Sequence, residues 1–308
     1  MTNIEWTEQT WNPTTGCDRI SPGCDRCYAL TMAKRLKGME LARGEQRPKY
    51  QNDGDPRTSG PGFGITGHPD VIGEPLRWKK PRRVFVNSMS DLFHARVTTD
   101  LITKVWRTMQ ATPQHTYQIL TKRASRLTPV LAKVHADLGL TEPLPNVWLG
   151  VSIESQKYAD LRIPGLLQAP AAIRFLSMEP LLGPVELTRL PLPSRQSTNI
   201  VYDALRQQYG IPGLWHASTA SRIDWVIVGG ESGPGARPME TAWASDLVGQ
   251  CQDAGTAVFV KQLGSVWARD HTVAGKTVAA HGDTKGGNPD YWPTHLRVRE
   301  YPKQAADA

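Results

Sequence analysis

Three of the four cysteines fall on one short stretch, Cys17, Cys24 and Cys27, in a C-x6-C-x2-C pattern whose Pro22-Gly23 step bends the chain back on itself. Three thiolates so close in sequence can hold a metal centre, because soft sulfur ligands suit iron and zinc. A [4Fe-4S] cluster takes a thiolate on each of three irons and leaves the fourth iron open, whereas a structural zinc needs a fourth protein donor. No second C-x2-C occurs, and the histidines show no ligand spacing. The fourth cysteine, Cys251, falls on the apolar face of a predicted helix, where a small buried hydrophobe needs no metal. The spacing favours the cluster, with zinc as the alternative.

Such residues need a scaffold. Short runs rich in β-branched and aromatic residues occupy positions 84–88, 116–122, 146–153, 173–177, 224–229 and 257–261, and a first strand is expected near Thr10 to Pro13. Their near-continuous apolar character is that of parallel strands covered on both faces. Helical periods lie between them. Ile102, Val105, Trp106 and Met109 follow the caps Thr98 and Thr99, and Leu131, Val134 and Leu138 follow Thr128-Pro129, read as N-cap and N1. Ala244, Leu247, Val248 and Cys251 form another period, and Ala29, Met32, Ala33, Leu36 and Met39 form an apolar stripe after the cysteines.

Strands alternating with helices predict an α/β fold, a complete or partial (β/α) TIM-like barrel of parallel strands with the metal loop after the first strand. The segments read as 1–39 (first strand, cysteine loop, first helix), 40–83 (Gly/Pro-rich insertion and basic run), 84–264 (remaining barrel, with an insertion at 187–222) and 265–308 (C-terminal extension). Active sites of such folds gather where strands end. There stand Ser88 and Asp91, Thr121 and Lys122, Ser152 and Glu154, Ser177 and Glu179, Glu231 and Ser232, and Lys261 and Gln262. Asp91, Lys122 and Glu154 are expected on one rim with the cysteine loop.

At 39% hydrophobic and 21% charged, the 308 residues can build a sizeable core, which excludes disordered, collagen-like and coiled-coil chains. No apolar run nears the roughly 18 residues of a membrane span, and the first residues lack an apolar signal core. A soluble cytoplasmic protein with no membrane partner is expected. The net charge of +7 biases it mildly towards polyanions. Arg77-Trp-Lys-Lys-Pro-Arg-Arg83 reads either as a phosphate-tracking surface with Trp78 stacking on a base, or as a solvated face anchored by that tryptophan.

Several stretches together resemble radical S-adenosylmethionine enzymes, and more closely a phage-type three-cysteine branch of them. They include Trp6-Thr-Glu-Gln-Thr-Trp-Asn-Pro13, the cysteine loop with Tyr28-Ala29, Asn87-Ser-Met-Ser-Asp-Leu-Phe-His94, Leu120-Thr-Lys-Arg123, Leu149-Gly-Val-Ser-Ile-Glu154, Ser177-Met-Glu-Pro-Leu-Leu182, Val228-Gly-Gly-Glu-Ser-Gly233 and Phe259-Val-Lys-Gln-Leu-Gly264. The loop is three residues longer than the usual C-x3-C-x2-C, and Arg26 stands where an aromatic residue often precedes the third cysteine, with Tyr28 just beyond.

The resemblance implies a [4Fe-4S] cluster on Cys17, Cys24 and Cys27 and S-adenosylmethionine chelated at the open iron. One-electron reduction then yields a 5′-deoxyadenosyl radical that abstracts hydrogen from substrate. Within that frame charge and hydrogen-bonding capacity suit Lys122 or Arg123 to the methionine carboxylate, Ser88 or Asp91 to its ammonium and Ser152 or Glu154 to the ribose hydroxyls, and Tyr28 is a further cofactor-binding candidate. Glu179, Glu231 and Lys261 are left as catalytic candidates. A nucleic acid or nucleotide is the expected substrate, modified or repaired at a base, with a reductase such as flavodoxin or ferredoxin as electron donor. The alternative is a non-catalytic, zinc-stabilised nucleic-acid-binding protein.

Overall fold

The structure, a computed structural model, describes residues 4–45, 49–191, 200–211, 213–219 and 221–303. Of the expected insertion at 187–222, positions 192–199, 212 and 220 therefore lie outside the described residues, as do 46–48 of the 40–83 segment and 304–308 of the C-terminal extension.

The apolar runs become strands of one large sheet: β1 (Gln9–Trp11), β2 (Arg83–Val86), β3 (Thr116–Thr121), β4 (Val147–Ser152), β5 (Ile173–Met178), β6 (Trp225–Gly229) and β7 (Ala257–Gln262). Every residue of β4 and β6 is buried, as expected of strands covered on both faces. The seven-stranded sheet follows sequence order, β1-β2-β3-β4-β5-β6-β7. Parallel pairings join β1 to β2, β2 to β3, β5 to β6 and β6 to β7. Neighbours in sequence are neighbours in the sheet, the order that successive β/α units generate. The protein is thus mixed α/β, with β1 and β7 as edge strands. The outer edge of β7 is occupied: the Val260 N–H donates to the Val298 carbonyl and the Glu300 N–H to the Val258 carbonyl, each at 2.9 Å. Backbone groups that a free edge would leave open are satisfied there by the C-terminal extension.

The helices are α1 (Tyr28–Arg43), α2 (Thr99–Gln110), α3 (Leu127–Leu138), α4 (Gln156–Gln168), α5 (Thr241–Ala254) and α6 (Ser265–Asp270). In α2 and α5 the predicted apolar residues are all buried, joined in α2 by Thr103 and Thr108. The Thr98 hydroxyl caps α2 by accepting from the Leu101 N–H at 3.3 Å. Two details differ from expectation. A 3-10 turn over Ala124–Arg126 makes Arg126 the N-cap of α3, so Thr128 and Pro129 lie inside the first turn. In α1, Met32 and Met39 are 42% and 38% exposed. The covered face there is Ala29, Ala33, Leu30 and Leu36, packed with Tyr50, Phe63 and Met89 and against Cys17 and Cys27. Glu40 is buried on α1 because its carboxylate accepts the Lys49 and Tyr50 N–H groups at 3.2 and 2.8 Å.

The described part of 187–222 is a small antiparallel sheet of Leu190–Pro191, Val201–Asp203, Gln208–Ile211 and Leu214–Ala217. The chain divides into two compact units, Met1–Gly150 with Ala169–Ala172, and Val151–Gln168 with Ile173–Ala308. Among the described residues no helix is long and apolar enough to cross a membrane.

Candidate functional site

In the first unit the cysteine loop leaves the end of β1 through Thr14–Thr15, which pair antiparallel with Thr66–Gly67. The Gly/Pro-rich insertion folds directly against the loop. The Cys17 N–H donates to the Phe63 carbonyl at 3.3 Å and the Arg19 N–H to the Thr58 carbonyl at 3.3 Å. Gly16, at φ +89°, approaches Gly64 so closely that any Cβ there would collide with the Gly64 carbonyl.

Asp18, between the first two cysteines, is the hub of this contact. Its carboxylate accepts from the Thr58 and Ser59 hydroxyls at 2.8 and 3.1 Å, from His94 Nε2 at 2.9 Å and from Arg96 Nη2 at 3.1 Å. Burial alone would raise its pKa, but the hydrogen bonds from Thr58, His94 and Ser59 hold it below the usual carboxylate range. The Arg96 N–H donates to His94 Nδ1 at 3.2 Å, so the His94 proton sits on Nε2 and points at Asp18. Burial lowers the His94 pKa, consistent with a neutral ring. His94 is buried and tied to the cysteine loop.

Cys24 ends a 3-10 turn over Pro22–Cys24, and Cys27 is the N-cap of α1. Burial pushes the Cys17 thiol up to about 12, Asp91 adding to the rise and Arg123 opposing it. Burial likewise raises Cys27, against the pull of nearby Lys122. Arg123 Nη1 donates to Cys17 Sγ at 3.4 Å and to Asp91 Oδ2 at 2.8 Å, and its Nη2 donates to the Asp18 carbonyl at 3.2 Å. Asp91 also accepts from the Phe93 N–H, the Thr121 hydroxyl and the Lys122 N–H at 3.0, 2.7 and 3.1 Å. Its two oxygens are thereby engaged by four internal donors. Tyr28 donates its hydroxyl hydrogen to the Ser88 carbonyl, and the Ser88 hydroxyl reaches Asn12 Oδ1 at 3.2 Å. The sequence-predicted Cys17, Cys24, Cys27, Tyr28, Ser88, Asp91, Lys122 and Arg123 thus lie together where β1, β2 and β3 end.

Among the described residues no three His, Cys, Asp or Glu side chains converge as the ligands of a single metal ion do. A tetrahedral zinc would draw its thiolates to about 3.8 Å from one another, given Zn–S bonds of about 2.3 Å. A cubane asks less convergence, since each thiolate meets a different iron. A guanidinium aimed at the Cys17 sulfur suits either centre, because it offsets the charge of a thiolate.

The basic run lies elsewhere in this unit. It leads into the start of β2, and Trp78 packs edge-on against His115 with ring centroids 5.6 Å apart, immediately before β3 begins. Arg83 donates its N–H to Glu8 at 2.8 Å. The cysteines stand at the opposite ends of these strands.

In the second unit, Lys261 and Glu179 form an ion pair at 2.8 Å, and the Ser177 hydroxyl donates to Glu179 at 3.3 Å. Glu231 is clamped by Arg237, whose Nε and backbone N–H reach Oε2 at 2.9 and 2.8 Å. Glu154 is 1% exposed and pairs with Arg162 Nη1 at 2.9 Å; the same nitrogen donates to the Ser152 carbonyl at 2.7 Å. Cys251 is fully buried on α5, its thiol raised to about 12 by that burial.

A family model described as "Protein of unknown function (DUF5131)" matches residues 1–293. No curated protein matches the chain, and no solved structure does. Since the family match takes in the three cysteines, Asp18 and Arg123 as well as the Glu179–Lys261 pair, the chain belongs to the DUF5131 family.

Proposed function

We propose that the chain is a radical S-adenosylmethionine enzyme of the cytoplasm, built on a partial (β/α) barrel and carrying a [4Fe-4S] cluster on Cys17, Cys24 and Cys27, with a nucleic acid or nucleotide as substrate. The observation that carries this reading is a loop of three thiols, with a guanidinium on the Cys17 sulfur, at the ends of successive parallel strands. When bound, the cluster and S-adenosylmethionine would supply one-electron cleavage of the sulfonium and, from it, hydrogen abstraction.

The chain's own residues do the rest. Asp91 orients Arg123 and the Lys122 backbone, making it a positioning residue. Lys122 is the residue proposed to meet a methionine carboxylate, and Arg123 holds the loop through Cys17 and the Asp18 carbonyl. Asp18 ties the insertion to the loop through Thr58 and Ser59. Glu179 and Lys261, already paired, are the candidates for proton movement on substrate.

The test is anaerobic purification followed by incubation with S-adenosylmethionine and dithionite. Brown protein with about four irons per chain that releases 5′-deoxyadenosine is expected. Colourless protein with one tightly held zinc would overturn the reading in favour of a zinc-stabilised binding protein.

A further inference from the structure

The small antiparallel sheet of the second unit has two unlike faces. One carries Leu190 and Tyr202, paired in register and both buried. The other carries Gln208 and Gly210 on one strand and Trp215 on the next, with Gly210 directly opposite Trp215. Any side chain at Gly210 would collide with the Leu214 carbonyl, so nothing from that position packs over the indole. Trp215 is half-buried and borders a cavity of about 420 Å³ that Arg189, Arg206 and Gln208 also line.

The charges suit an anion. Arg189 is exposed. Asp203, the acid in the wall, is buried, and its carboxylate accepts from the Leu205 and Arg206 N–H groups and from Arg206 Nη1, each at 2.9 Å. Its charge is therefore held by internal donors, while Arg206 stays partly open, at 35% side-chain exposure. An aromatic platform on a sheet, a side-chain amide able to meet a base edge, and flanking arginines are the elements that hold unpaired bases and their phosphates. We infer that this face binds single-stranded nucleic acid, with one base stacked on Trp215 and the adjacent phosphates against Arg189 and Arg206. The inference does not depend on the cluster chemistry proposed above.

The test is fluorescence polarisation with a labelled oligothymidylate of about ten nucleotides, on the full chain at several salt concentrations. Binding that weakens as salt rises is expected. Trp215→Ala should weaken it roughly tenfold, and Trp215→Phe should restore most of the loss. Arg189→Gln, an exposed change that spares the fold, should flatten the log–log salt slope by about 0.7. The inference is overturned if wild type shows no salt-dependent binding, if Trp215→Ala and Arg189→Gln bind like wild type, or if a duplex binds more tightly than the strand. Thymidine monophosphate competing as well as the oligonucleotide would also overturn it, by identifying a free-nucleotide site. Iron content, measured on the same samples, reports separately on the cluster.

Discussion

Arg123 stands between Asp91 and Cys17, its Nη1 2.8 Å from the carboxylate and 3.4 Å from the sulfur. One guanidinium therefore couples the loops that follow β1, β2 and β3. Both partners of the Arg123–Asp91 pair are largely buried, with side-chain exposures of 11% and 7%. Removing one of them leaves the other charged and unpaired, the costly half of such an interaction. Arg123→Gln is expected to lower the unfolding midpoint and to reduce iron retained after reconstitution and desalting. Arg123→Lys should recover only part of either, because an ammonium cannot reach carboxylate, sulfur and carbonyl with a planar fork. Iron retention in Arg123→Gln equal to wild type would detach this residue from the proposed centre.

Replacing Cys17, Cys24 or Cys27 with Ala is expected to abolish iron binding in each case, since three thiolates and one exchangeable site leave no spare protein ligand. Cys251→Ala should retain iron and lose only packing, as for any small buried side chain. Iron per chain, measured after anaerobic reconstitution, checks all four variants.

Asp18→Asn keeps the size of the side chain but removes its charge and one acceptor site. The donors from Thr58, Ser59, His94 and Arg96 then compete for a single oxygen. A loss of about 1–3 kcal/mol is expected, seen in urea unfolding, together with faster proteolysis within residues 49–64. An unchanged digestion pattern would show that the insertion is held by other contacts.

Glu154→Gln addresses whether Glu154 is structural. The Glu154–Arg162 pair is almost wholly buried, so leaving Arg162 uncompensated should cost about 3–5 kcal/mol. Unfolding midpoints with and without S-adenosylmethionine should fall by the same amount if the residue serves only the fold. A drop confined to the ligand-bound protein would restore a ribose contact.

The strands were legible because burial on both faces writes itself into the chain as unbroken β-branched and aromatic runs, as in β4 and β6. The cysteine loop was legible because its three cysteines are close in sequence. The contacts that hold it were not. Asp18 reaches Thr58 and His94 across 40 and 76 residues, and such pairings leave no period or spacing to read. The α1 stripe erred for another reason. A helical period identifies apolar positions, but not which of them a neighbouring insertion will cover, and there the small Ala29 and Ala33 face inward while Met32 and Met39 do not.

The path from β1 to β2 has a kinetic consequence. These strands are adjacent in the sheet although Trp11 and Arg83 are separated by the cysteine loop, α1 and the insertion, the longest excursion between sheet neighbours in the first unit. Long closures are entropically dearer and slower than the short ones that join β2 to β3. The N-terminal strand is thus expected to dock late, after β2 and β3 have formed the platform bearing Asp91 and Arg123. A ligand captured by the closed loop would draw this last step forward by mass action, so that filling the site and completing the sheet become one event.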